Sequence, residues 1–179
     1  MGNFYTNITL RGPDQAAVAT FLRQARRAAY VAPRHAGGTT VYDERCEAQD
    51  PQLLGELATA LSRHFACPAL AVLNHDDDIL ALALYDHGEL VSDYETGHAG
   101  RFRVGALCRA WGRAAAGPVV WLLLHGPRPV FEVTRYAWLA RSLGLPSWSV
   151  GTGFRYLAQG EFPPGLAPTE VVDTSGPGC

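Results

Sequence analysis

The densest run of chemically capable side chains in the sequence is His75-Asp76-Asp77-Asp78. Three consecutive carboxylates repel one another unless water, a cation or an arginine compensates them. With a histidine alongside, such a run suits a hard-metal site for assisted hydrolysis or an acid/base pair at a sheet end. The spacing weighs against both. Neighbours on an extended chain point opposite ways, so only Asp76 and Asp78 share a face. The sharp-turn glycine and the downstream glutamate of a calcium loop are missing as well. The run reads instead as a solvated hairpin turn, in which His75, Asp76, Asp77 and Asp78 offer an acidic recognition surface.

The other histidines are weaker candidates. His87, next to Gly88, reads as a turn residue, and His98 falls in the Gly97-His98-Ala99-Gly100 linker, where it could line a cleft. His64 and His125 stand at helix ends, where a cation suits the dipole. Gly151-Thr152-Gly153 opens a short helix and resembles a phosphate-cradling turn, with Arg155 and Tyr156 close by. The lysine of a P-loop is absent, and the chain has no lysine at all. No nucleophile elbow, zinc-binding H-E-x-x-H or kinase signature is present, so no cofactor or resident metal is expected.

Charge and thiols narrow the field further. Seventeen acidic residues against fifteen arginines give a formal net charge of -2, which draws the chain neither to nucleic acid nor to an anionic membrane. Arg23, Arg26 and Arg27 are expected to share one face of the first helix. With Arg34 soon after, they form the densest basic patch, a conceivable phosphate-binding stripe, and nucleic-acid binding there is the least favoured function. Cys46, Cys67, Cys108 and Cys179 are widely spaced, with no C-x-x-C pair. Reduced thiols in a cytoplasm are expected. Cys46 lies among carboxylates that raise its pKa, Cys67 and Cys108 read as small buried hydrophobes, and Cys179 as an exposed thiol.

The elements that must position these residues follow from periodicity and punctuation. Residues 4–11 alternate as a strand, Gly12-Pro13-Asp14 starts a helix carrying Val18, Phe21, Leu22, Ala25 and Ala29, and two short strands follow over 30–35 and 39–45. Asp50-Pro51 opens a second helix with the stripe Leu54, Leu57, Leu61 and Phe65. Strands are expected over 69–73, 79–85 and 89–94, joined by tight polar turns. Leucines at 80, 82 and 84 with alanines at 81 and 83 mark a strand covered on both faces. Beyond Gly97 the grammar is helical: 104–112, 118–125 between two Gly-Pro pairs, 129–143 and 152–159.

The expectation is an α+β fold. A ferredoxin-like βαββαβ start over residues 1–96 is extended by two antiparallel strands. A helical extension over 97–162 packs on the sheet, and residues 163–179 form a Pro/Gly-rich tail whose removal after Pro164 costs little. The apolar run 119–124 is far too short to span a membrane. Trp111, Trp121, Trp138 and Trp148 all lie in the helical part. The narrow polar strip of 129–143 puts Trp138 in the core, and Trp148, between two serines, nearer the surface. The functional expectation is a non-catalytic cytoplasmic interaction domain of regulatory, adaptor or immunity type. It would bind a protein partner, a second copy included, through the acidic turn or an aromatic-lined groove. The rival is a small metal-assisted hydrolase centred on His75, Asp76 and Asp78.

Overall fold

A computed structural model describes residues 2–98, 102–127 and 129–176; Cys179, Arg128 and the Ala99-Gly100 stretch of the linker lie outside them. Its centre is a seven-stranded sheet in the order β6-β5-β4-β1-β3-β2-β7. The strands are β1 (Tyr5–Arg11), β2 (Ala29–Val31), β3 (Gly38–Asp43), β4 (Ala69–His75), β5 (Ile79–Asp86), β6 (Glu89–Glu95) and β7 (Val172–Asp173). Every neighbouring pair is antiparallel. The fold is mixed α+β.

Alternation along the strands sends side chains to two helical layers. Ile8, Leu10, Ala69, Ala71 and Leu73 meet α1 (Gln15–Gln24) and α2 (Pro51–Phe65) on one face. Asp14 and Asp50 cap the two helices, their carboxylates accepting from Ala17 N and Gln52 N. On the opposite face Tyr5, Leu70, Val72, Leu80, Leu82 and Leu84 pack against α3 (Val104–Ala110), α4 (Gly117–His125) and α5 (Glu132–Leu143). The leucines of β5 face these three helices while its alanines face α2, so this strand has helices over both surfaces. A smaller cluster of Ala32, Tyr42, Trp148, Leu157 and Leu166 closes the β2–β3 end beneath α6 (Phe154–Ala158) and the C-terminal segment.

Four expectations need correction. The first helix stops at Gln24, and Arg26 turns to positive φ, so Arg23, Arg26 and Arg27 share no helix face. The strand expected over 30–35 is only Ala29–Val31, with an isolated bridge between His35 and Gly38 beyond it. The third long helix begins at Glu132 rather than at residue 129. The expected tail is no tail: Leu166 is buried, β7 adds to β2, and Thr174 is buried against Ala29. Its hydroxyl donates to Arg27 O at 2.7 Å and accepts from Ala29 N at 2.9 Å, which ties the end of the described chain to the sheet.

Candidate functional site

The acidic turn is built as the spacing suggested. Asp76 and Asp77 both take positive φ, 53° and 58°, and Asp78 N closes on His75 O at 3.1 Å, the left-handed pair that suits a tight hairpin. Its carboxylates are not equivalent, however. Asp77 points inward, accepting from Asn3 N at 3.1 Å and Asn74 Nδ2 at 2.8 Å. Asn74 Nδ2 also donates to Asn3 O, and Tyr156 OH donates to Asn3 Oδ1 at 2.8 Å. Asp77 and Tyr156 are thus brought together across Asn3, and the middle carboxylate is used to hold the start of β1 against the β4–β5 turn. Asp76 and Asp78 remain exposed. His75 lies with Nδ1 2.5 Å from Gln49 Oε1 and its ring edge-on to Phe4. Among the described residues no three His, Cys, Asp or Glu side chains are grouped so that they could hold a metal ion.

The start of α6 is likewise already taken. Phe154 N donates to Glu47 Oε1 at 2.6 Å, so the chain's own carboxylate stands where the Gly151-Thr152-Gly153 turn could have received a phosphate. Burial pushes the Glu47 carboxyl up despite that amide and the nearby Arg155. Arg155 itself is exposed. Arg27 makes a two-pronged pair with Asp43, at 2.8 and 2.6 Å, and is spent on the β3 end rather than offered to a ligand. Arg34 is exposed. His98 pairs with Glu95 at 3.1 Å on the surface, and His87 with Asp86 at 2.9 Å. Burial first, then Asp43, raises the Cys46 thiol to about 12, which makes it inert as a nucleophile at neutral pH.

The tryptophans reverse the expected assignment. Trp148 is 6% exposed, packed against the His35 ring and Tyr42, whose hydroxyl donates to Trp148 O at 2.7 Å. Its Nε1 has no hydrogen-bond partner among the described residues. Trp138 is 52% exposed. The cause lies in the buried stripe of α5, which runs Glu132, Arg135, Tyr136, Leu139, Ala140 and Leu143. Two of those positions are charged, so the polar residues thought to mark the wet side face inward. Arg135 Nε is 2.9 Å from Glu132 Oε2, and Arg135 Nη1 donates to Tyr94 OH at 2.6 Å, fastening α5 to β6.

The helical layer leaves several large apolar side chains in water. Val119, Trp121 and Leu122 of α4, Val130 and Phe131 of the connection, and Trp138 of α5 are each more than half exposed. Trp121 stacks flat on His125, with ring centroids 4.9 Å apart. The α4 run of 117–125 signals this surface in the sequence, since it is apolar on nearly every side and a helix has only one face to bury. Comparison with protein-family models, with curated proteins and with solved structures finds no match for the chain.

Proposed function

We propose that the chain is a non-catalytic cytoplasmic interaction domain that acts as a dimer, two copies meeting through the outer surface of α4 and α5. The observation that carries this reading is the group of six large apolar side chains in water there. Three aromatics at half of about 150–250 Å² each, with three aliphatics, come to on the order of 600 Å². Taken together that is the top of the range for the largest patch of an ordinary monomer, roughly 300–600 Å², and it approaches the ~800 Å² per partner of a standard interface. A surface of that size left permanently wet invites aggregation, and the one partner always present in equal amount is a second copy. Two-fold packing would also pair the surface with itself, since the same patch serves both sides.

Two finer readings accompany it. The element order β1-α1-β2-β3-α2-β4, with those strands arranged β4-β1-β3-β2, supports a ferredoxin-like unit to which β5 and β6 are appended on one side. The three free buried cysteines, Cys46, Cys67 and Cys108, support a reducing compartment.

A photo-reactive benzoylphenylalanine placed at Trp138 in the purified protein tests the surface. Irradiation should yield a covalent dimer, and the same group at exposed Thr20 on α1 should not. Equal yields at both positions would remove the support for this face.

A further inference from the structure

A second surface lies across the sheet from the helical pair. Beside α2 the sheet carries Ala71, Ala81 and Ala83, side chains too short to fill the space up to the helix, and a groove of about 220 Å³ is left open. Tyr85 closes one end, its hydroxyl resting on α2 where a Cβ at Gly55 would come within 2.7 Å. The groove reaches β6, the last strand of the sheet, beyond which no further strand lies among the described residues. The irregularity opposite Leu84 and Tyr85 shifts the alternation, so that Leu90, Asp93 and Glu95 all line the groove. Leu90 is more than half exposed. No arginine lines this groove, Glu95 pairs only with the exposed His98, and Asp93 has no ion pair or hydrogen bond among the described residues.

We infer that β6 and this groove bind an extended basic segment of another protein, which adds to the sheet as an eighth strand. An edge strand offers a ladder of backbone donors and acceptors, and alternate side chains of an added strand fall on one face. On the α2 side those side chains would stand beside Asp93 and Glu95, so lysine or arginine at every second position is selected. On the opposite side Arg103 N binds Ser92 Oγ at 2.6 Å and Phe102 packs on Tyr94, so small residues are needed there. The same carboxylates argue against a second copy as the occupant. Pairing β6 with β6 would set Glu89, Asp93 and Glu95 against like charges, a common guard of open edges.

The probe is a labelled peptide, Thr-Lys-Thr-Arg-Thr-Lys-Thr, with an all-glutamate counterpart in place of its three basic residues. Fluorescence polarisation should show saturable binding of the basic peptide only, weakening as salt is raised. Asp93→Asn with Glu95→Gln should lower its affinity about tenfold, since each exposed ion pair is modest. Hydrogen exchange should show β6 amides slowed by the peptide, the mark of strand addition rather than loose charge attraction. Trp121→Ser with Trp138→Ser should leave peptide binding unchanged, so a failure of the dimer reading would not touch this one. Absence of binding, equal binding of the acidic peptide, or bound peptide with no protection of β6 would overturn the inference. So would β6 protection that rises with protein concentration alone, which would make a second copy the occupant.

Discussion

At the scale of single residues, the two tryptophans separate packing from exposure. Trp148→Ala should cost about 3–5 kcal/mol in chemical unfolding, the usual loss for a buried aromatic, because it empties the centre of the β2–β3 cluster. Trp138→Ala should change the stability of the monomeric protein by less than about 0.5 kcal/mol, as for other surface positions. The sequence alone pointed the other way for a physical reason. Counting polar positions assumes that charge marks the wet side of a helix, and Glu132 and Arg135 form an ion pair inside it instead. The acidic turn was legible, because three short carboxylates suit left-handed turn geometry; the inward role of Asp77 was not, since its partner Asn3 is 74 positions away. Glu47 gives a pH signature. Burial raises its folded pKa above the ordinary carboxyl value, so ionisation disfavours the native state, and that penalty grows as pH rises through the shifted pKa. Glu47→Gln keeps an oxygen for Phe154 N and cannot ionise. Its stability relative to wild type should therefore increase from pH 4 to pH 7 in paired denaturation curves. A constant difference across that window would show that the carboxyl is not shifted.

At the scale of elements, the last described segment matters most. Its composition reads as a tail, with Pro, Gly, Thr and Ser dominant, because only Leu166, Val171 and Val172 carry apolar weight. Yet burying one leucine is worth roughly 1.5–3 kcal/mol, and Thr174 adds hydrogen bonds to Arg27 and Ala29 that composition cannot reveal. Truncation after Pro164 should lower unfolding stability by about 2–4 kcal/mol, measured by urea denaturation; a loss below about 0.5 kcal/mol would show that β7 contributes nothing. Helix ends followed local chemistry more closely. Asp50-Pro51 and the Gly-Pro pairs around α4 set their boundaries correctly, since caps and proline act within one turn. The early end of α1 had no such mark, because Arg26 takes a left-handed conformation that its residue type does not announce.

At the scale of the whole molecule, the sheet has two covered faces, an open edge at β6 and a wet apolar surface on its helical layer. The α+β class and the helical second half were readable, because strand alternation and helix punctuation are local. Which helix faces remain uncovered was not readable, since that depends on how α3, α4 and α5 divide one sheet face among them. If α4 and α5 are the meeting surface of two copies, sedimentation equilibrium of the purified chain over a hundredfold range of concentration tests it most directly. The expected result is a monomer–dimer equilibrium in the wild type and a folded monomer throughout for Trp121→Ser with Trp138→Ser. A wild-type protein that remains monomeric across the range, or a double variant that dimerises equally well, would contradict the account.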